Sequence, residues 1–237
     1  MKLALKRALQ TAFEAPPPAR KREFLRALSG RPISFVQFVA SQAAYIGKWT
    51  FAVSLLIFGA ALAATRMVSK DSLWMLSCLT PFLAVCAVAE NTKSKTCQMA
   101  ELEMASRFSL RSVALARMFV LGVAHALLLC LLVLLGRRAG AATVFETGIY
   151  LITPYLLTTA GGLWMVRRMK GRETAYACMG VAVMVSALLA VARTVLPLYQ
   201  GMCYPWWVAA FVLLGFLSAL EYRKTLLKTE DCLWNWL

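Results

Sequence analysis

Groups that commonly carry catalysis are scarce in this sequence. It has one histidine, His125, and 11 acidic residues against 26 lysines and arginines. A serine intramembrane protease would need a GxSxG serine together with a histidine on another span, and the sequence has no GxSxG motif. A zinc site would need acidic or cysteine partners around the single histidine, His125. The loop GxxxxGK[ST], which binds ATP phosphates, is missing as well. We therefore predict that the chain is not an enzyme and holds no cofactor, and that any ATP it uses is bound by another chain.

Carboxylates are nearly absent from the apolar parts of the chain. Glu146 and Glu221 lie at the edges of apolar blocks, where a charge costs little. Because a proton- or sodium-coupled transporter usually places a carboxylate near mid-membrane, this absence argues against secondary transport. His125 lies inside an apolar block. We expect it to be buried and hydrogen-bonded to another helix, with a place on a transport pathway as the alternative.

Apolar sequence is what the chain has in abundance. Hydrophobic residues make up 60% of it and the mean hydropathy is +0.66, which excludes an ordinary soluble domain. A helix needs about 20 apolar residues to cross a hydrocarbon core of roughly 30 Å. Six blocks reach or approach this length: residues 45–65, 73–89, 118–136, 145–166, 175–192 and 206–221. The predicted fold class is therefore an all-α polytopic membrane protein with six transmembrane helices.

Lysines and arginines occur mainly in alternate gaps between these blocks. Nine lie up to Lys48, five between blocks two and three, four between blocks four and five, and three after block six, whereas the other gaps hold five. Basic residues stay on the cytoplasmic side of a membrane, so both termini are predicted to be cytoplasmic. The net charge of +15 then faces lipid headgroups rather than nucleic acid, for which no binding module is present. The predicted division is a basic cytoplasmic segment (1–44), a transmembrane domain (45–221) and a cytoplasmic tail (222–237).

The amino-terminal segment combines two helical stretches with a stiff spacer. Residues 1–13 have the pattern of an amphipathic basic helix, and the triple proline at 16–18 is an extended spacer. Ser34 and Gln37 fit a capping box. The apolar residues that follow predict an elbow helix over residues 34–47, which lies on the membrane and leads into the first span.

Prolines, glycines and aromatic residues mark special positions in the later blocks. Pro81 and Pro154 interrupt two spans, either as simple kinks or as parts of a transport pathway. Gly161-Gly162 predicts a close approach between helices. Aromatic residues near the last outer loop are suited to an interfacial belt, namely Tyr199, Tyr204, Trp206 and Trp207.

The cytoplasmic gap between blocks two and three is long and patterned. Over residues 90–108 it predicts a short helix, and Ser109 can cap the next helix, which enters the membrane. Apolar residues recur there at helical spacing and glutamates occupy the other faces: Met99, Leu102, Ala105 and Phe108 against Glu101 and Glu103.

Residues 101–118, with the sequence ELEMASRFSLRSVALARM, resemble the region between spans two and three in permeases of the type-2 ABC exporter class. In that class a glutamate-bearing cytoplasmic helix precedes a serine-containing turn and a basic entry into span three. The six spans, the internal termini and the preceding elbow helix also match the layout of that class. The short predicted loop between blocks five and six departs from it and argues against a large external gate.

The resemblance implies a pair of permeases, either two copies or two homologous chains, each docked on a separate cytoplasmic ABC ATPase. Lipids, hydrophobic peptides and polysaccharides are substrates of the class, and a bacterial cytoplasmic membrane is the implied location. Residues 90–108 would form the coupling helix. The implied ATPase contacts are Met99, Glu101, Leu102, Glu103, Arg107 and Phe108, and the possible pathway residues are His125, Pro81 and Pro154.

Two other functions fit parts of the sequence. The basic residues 1–44 suit a non-transporting membrane anchor that holds or regulates a cytoplasmic partner, such as a transcription regulator. An integral-membrane enzyme or secondary transporter would require a polar cluster around His125 in a water-filled cavity.

Overall fold

The computed structural model describes residues 34–67, 72–96, 110–136, 143–169, 173–195, 198–199 and 201–234, and every regular element in these ranges is helical. The chain divides into two compact units, Met1–Gln37 and Phe38–Leu237. In the first unit, the Ser34 N–H donates a hydrogen bond to Gln37 Oε1 at 3.3 Å. This is one of the two hydrogen bonds of the predicted capping box. The predictions for residues 1–33 lie outside the described residues.

Seven α-helices and one 3₁₀ turn are present in the described residues. Six of these helices, the second to the seventh, are long enough and apolar enough to cross a membrane. This confirms the predicted all-α fold with six such helices. The elements are α1 (Phe35–Tyr45), α2 (Lys48–Met67), α3 (Ser72–Thr96), α4 (Leu110–Gly136), α5 (Val144–Arg168), α6 (Glu173–Val195), the 3₁₀ turn (Gly201–Cys203) and α7 (Tyr204–Trp234).

The helix boundaries differ from the predicted blocks at three places. Tyr45 ends α1 instead of opening the first block, and the helix is broken at Ile46 and Gly47 before α2 begins. The helix α3 runs through Thr96, so the first part of the segment predicted as a coupling helix continues α3. The helix α7 runs to Trp234, through residues that were predicted as a separate tail. Neither extension contains proline or glycine, so the sequence has no signal that ends the helix.

The helices α2 to α7 run in alternating directions, so their ends gather at two ends of the bundle. Glu90, near the end of α3, accepts a hydrogen bond from Gly47, which precedes α2. Arg167, at the end of α5, forms an ion pair with Glu221 of α7. We call this end of the bundle the basic end and the opposite one the far end.

The helices α3 and α5 form the centre of the second unit. Within the stretch of each helix that could cross a membrane, 56% of the α3 residues and 44% of the α5 residues are buried, against 11% of the α7 residues. The helix α3 packs against α2, α4, α5 and α6, and α5 packs against α3, α4, α6 and α7. Large exposed side chains on the outer helices are apolar, as in Leu55, Leu127 and Leu188. Such a surface is expected where a helix faces lipid rather than water.

A proline inside each central helix leaves one carbonyl without its usual donor. Pro81 has no N–H for the carbonyl of Ser77, four residues earlier, and Pro154 has none for the carbonyl of Tyr150. The Thr80 hydroxyl donates to the Ser77 carbonyl at 2.9 Å. The Ser77 hydroxyl donates to the Tyr150 carbonyl at 3.1 Å. The second of these bonds joins α3 to α5 at the carbonyl that Pro154 leaves free.

Two further hydroxyl groups tie outer helices to the central pair. The Ser186 hydroxyl of α6 donates to the Cys78 carbonyl of α3 at 2.7 Å. The Ser218 hydroxyl of α7 donates to the Leu156 carbonyl of α5 at 3.2 Å. Hydroxyl groups at helix interfaces are a common source of cohesion where the surroundings are apolar.

The close helix approach predicted at Gly161-Gly162 is confirmed. A Cβ atom on Gly161 would lie 3.0 Å from Cγ1 of Val181, and one on Gly162 would lie 3.2 Å from both γ-carbons of Val88. The missing side chains therefore let α5 pack tightly against α6 on one side and α3 on the other.

Aromatic side chains close the far end of the bundle. The rings of Tyr199 and Trp207 lie 5.4 Å and 5.2 Å from the ring of Tyr150, measured between centroids. The Trp207 indole N–H donates to the Leu198 carbonyl at 2.8 Å. Burial raises the pKa of Tyr199 to about 12, so its phenol stays neutral at physiological pH. The predicted interfacial belt is wrong for Trp207, which is 9% exposed, whereas Trp206 is 77% exposed as such a belt requires.

Replacing Ser77 with alanine is expected to destabilise the protein by about 1 kcal/mol, within the range of roughly 0.6–2 kcal/mol for hydrogen bonds between membrane helices. In a Pro154→Ala background the loss should be smaller, because the restored N–H of residue 154 can bind the Tyr150 carbonyl. The free energy of unfolding of the two single variants and the double variant measures this. Thr194→Ala, which removes an exposed hydroxyl bonded within its own helix, is the control. An equal loss in both backgrounds would contradict this assignment.

Candidate functional site

The residues that the sequence nominated fall into two groups. His125, Pro81 and Pro154 are described, and all three are buried inside helices. The six predicted ATPase contacts lie in residues 97–109, outside the described residues: Met99, Glu101, Leu102, Glu103, Arg107 and Phe108.

His125 sits where three helices meet. It is 1% exposed, and both of its ring nitrogens have a partner. The Ser54 hydroxyl of α2 lies 3.1 Å from Nε2, and the Tyr155 hydroxyl of α5 lies 3.2 Å from Nδ1. The rings of His125 and Tyr155 meet edge to face, with centroids 6.1 Å apart. This confirms the expectation of a buried histidine bonded to other helices.

The three side chains form one continuous hydrogen-bonded chain. In a neutral imidazole one nitrogen donates and the other accepts. When Nδ1 carries the proton, Ser54 donates to Nε2 and the ring donates to Tyr155; the other tautomer reverses both bonds. Either arrangement satisfies the ring without water, in surroundings where an unpaired polar group costs several kcal/mol. The geometry therefore accounts for His125 as the link that joins α2, α4 and α5.

An apolar cleft of about 810 Å³ lies on the other side of Tyr155, between α4, α5 and α7. Gly122 and Cys130 of α4, Gly148 of α5 and Phe211 of α7 are among its lining residues, and Tyr155 stands between the cleft and His125. The cleft is open along one side. Its lining does not include His125, Pro81 or Pro154, so the three nominated pathway residues do not face this space.

Glu90 is a buried carboxylate that sequence reasoning missed. It is 5% exposed, and its oxygens accept hydrogen bonds from the Gly47 N–H, at 3.1 Å, and from the Thr50 hydroxyl. Both donors belong to the start of α2, so a side chain of α3 caps a neighbouring helix. The partial positive charge of a helix amino terminus favours a carboxylate at this place. In the sequence, Glu90 stands directly after the apolar block 73–89. Because the block was bounded by counting apolar residues, Glu90 was assigned to the loop outside the membrane.

An ion pair gives the basic end a second link. Arg167 of α5 contacts Glu221 of α7, with side chains that are 22% and 14% exposed, and Lys224 Nζ lies 3.5 Å from the other Glu221 oxygen. Partial burial strengthens the attraction between these charges relative to a pair in open water. Glu90 and Glu221 thus hold α2 to α3 and α5 to α7 at the same end of the bundle.

The described part of the chain brings together no group of three histidine, cysteine, aspartate or glutamate side chains that could hold a metal ion. No protein-family model, no curated protein and no solved structure matches this chain. The likeness to exporter permeases therefore depends on residues 101–118 and on the predicted layout of the spans.

Replacing Glu90 with alanine is expected to cost about 1–3 kcal/mol, because the partly buried Gly47 N–H and the buried Thr50 hydroxyl lose the Glu90 oxygens as acceptors. Glu90→Gln should cost less, since its amide oxygen still accepts one bond. Thermal unfolding in mild detergent measures both, at about 2–4 °C per kcal/mol for a chain of this size.

Glu173→Ala provides the matched control, because Glu173 is an exposed acid at the same end of the bundle. A loss for Glu90→Ala no larger than that of the control would show that Glu90 does not hold α2 to α3.

Proposed function

We propose that this chain is the membrane-spanning permease subunit of an ATP-driven ABC exporter. In this proposal all six long helices cross a cell membrane, the cytoplasmic membrane of a bacterium, with both termini in the cytoplasm. The permease acts beside a second copy or a homologous permease, and a separate cytoplasmic ATPase binds and hydrolyses ATP.

The course of α3 is the observation that carries the proposal. It is the most buried of the membrane-length helices, and it continues to Thr96, three residues before Met99, the first of the predicted ATPase contacts. A helix of 25 residues is about 37 Å long, enough to cross a bilayer and extend beyond it. One continuous helix thus runs from the predicted docking segment through the centre of the bundle.

Hydrogen bonds at two positions along α3 would make the neighbouring helices move when α3 moves. Near the basic end, Glu90 is bonded to Gly47 and Thr50, so the start of α2 would have to move with it. Deeper in the bundle, Ser77 is bonded to the free carbonyl of Tyr150 in α5. Packed helices respond to such a shift by changing between discrete arrangements rather than by continuous deformation. Movement of the ATPases during ATP hydrolysis would therefore rearrange α2, α3 and α5 together.

A membrane anchor is the second candidate, and the division of the chain favours it. The chain divides into the units Met1–Gln37 and Phe38–Leu237, and the first contains eight lysines and arginines against two glutamates. A basic unit of this kind suits an acidic cytoplasmic partner or an anionic lipid surface. On this alternative the six helices hold the unit at the membrane and transport nothing.

Affinity purification of the full chain from its native host in mild detergent separates the two candidates. The exporter proposal predicts that a protein carrying GxxxxGK[ST] comes with it, and that Glu101→Lys combined with Glu103→Lys abolishes this association. The charge reversal replaces two predicted contact carboxylates with ammonium groups, which removes their charge complementarity to the docking surface without changing the apolar helices. Glu173→Lys, an exposed acid at the basic end, is the control that should retain the partner.

Two results would contradict the exporter proposal. One is recovery of the chain with a regulator and no nucleotide-binding protein, which favours the anchor. The other is full retention of the ATPase by the Glu101, Glu103 double variant, which removes the predicted docking helix from the interface.

A further inference from the structure

We infer that the cleft between α4, α5 and α7 binds one acyl chain of a membrane lipid. The inference rests on the membrane location proposed above, and it does not depend on the ATPase. If the chain is an exporter subunit, the bound amphiphile is a candidate for the cargo class.

The chemistry of the cleft admits hydrocarbon and disfavours water. Its lining is almost entirely aliphatic and aromatic, from Leu129 and Val133 on α4 to Ile152 on α5. A buried water needs two to four polar partners. The hydroxyl of Tyr155, one of the lining residues, is bonded to the His125 ring rather than left to the cleft. Its phenyl ring remains as an apolar wall.

Two glycines create this space, and they differ from the packing glycines of α5. A Cβ atom on Gly122 or on Gly148 would meet no other atom within 4 Å, whereas one on Gly161 or Gly162 would press on a valine. Gly122 of α4 and Gly148 of α5 both line the cleft. The absence of two side chains therefore leaves open space in the cleft instead of a close contact between helices.

The position of the cleft admits an acyl chain from the surrounding bilayer. Its lining starts near the far end, at Leu134 and Phe145, and reaches Tyr155, about 15 Å along α5. Gly122, Cys130 and Phe145 are exposed residues of the lining, so the open side lies on the surface that faces lipid in the proposed setting. A lipid with its headgroup at the far end can place one chain along this path.

The size of the cleft fits an acyl chain better than a helix from a second copy. Its volume of about 810 Å³ lies within the roughly 300–1,000 Å³ typical of ligand sites. Three turns of helix with side chains form a cylinder about 10 Å wide and 16 Å long, or on the order of 1,300 Å³. An acyl chain is far thinner than such a helix and needs no displacement of α4 or α7.

The experiment fills the cleft and measures lipid contact. The full chain, without an ATPase, is reconstituted into phosphatidylcholine vesicles that contain a trace of phosphatidylcholine with a diazirine in its acyl chain. After irradiation, mass spectrometry maps the labelled residues. The variant Gly122→Leu with Gly148→Leu puts two leucine side chains into the space, at positions where a Cβ atom meets no neighbour within 4 Å. The matched control is Gly180→Leu with Gly215→Leu, which adds two leucines at helix glycines that also have open space but lie outside the lining.

The expected result is concentrated labelling of the lining residues in the wild type and the control. In the filled variant that labelling should fall by about tenfold or more, the ratio that corresponds to about 1.4 kcal/mol of binding. Equal labelling in the filled and control variants would overturn the inference, as would even labelling over all exposed apolar faces.

The wild-type map and the single variant Gly148→Leu keep the test decisive if the double variant fails to fold. Extraction of the membranes with alkaline carbonate distinguishes the two proposals. A chain that resists extraction but shows no preferred labelling of the lining refutes the acyl-chain site alone. A chain that is extracted refutes the membrane location itself.

Discussion

The bond from the Ser77 hydroxyl to the Tyr150 carbonyl shows the constraint on which this structure depends. Hydrocarbon offers no partner to a polar group, so a helical bundle within it must satisfy its own donors and acceptors. Pro154 breaks that rule inside α5, and α3 supplies the missing donor. The same need explains the chain of bonds through His125 and the capping of α2 by Glu90. Internal polar contacts thus join α3 to α5, α4 to α2 and α5, and α3 to α2.

These contacts make α3 the axis of the bundle. It is bonded to α2 through Glu90, to α5 through Ser77 and to α6 through Cys78. The missing side chain of Gly162 lets α5 pack closely against Val88 of α3, which adds an apolar contact to these hydrogen bonds. By contrast, α4 and α5 are separated by the cleft between the hydrogen bond that joins Tyr155 to His125 and the far end of the bundle. One side of the bundle is thus tied to α3, which leads to the basic end, while the other side contains the cleft in which we propose that an acyl chain binds.

Local sequence patterns predicted the helices but not the contacts between them. Apolar blocks gave the six long helices because length and composition are local properties. The bond between Ser77 and Tyr150 was not predictable, since it requires the register between two helices. Glu90 was missed because apolar counting stopped at Ala89, although the helix continues. Gly122 and Gly162 look alike in sequence, yet one opens a space and the other closes a contact.

The central claim is that the long helices cross a membrane with the basic end in the cytoplasm. Single cysteines at exposed positions, in a chain whose native cysteines are replaced, test it by labelling with an impermeant maleimide in sealed cells. Thr194 and Met202 lie at the far end, and Glu173 and Arg223 at the basic end. The account predicts labelling of the far-end pair from outside and of the basic-end pair only after permeabilisation. Labelling of both pairs from the same side would contradict it.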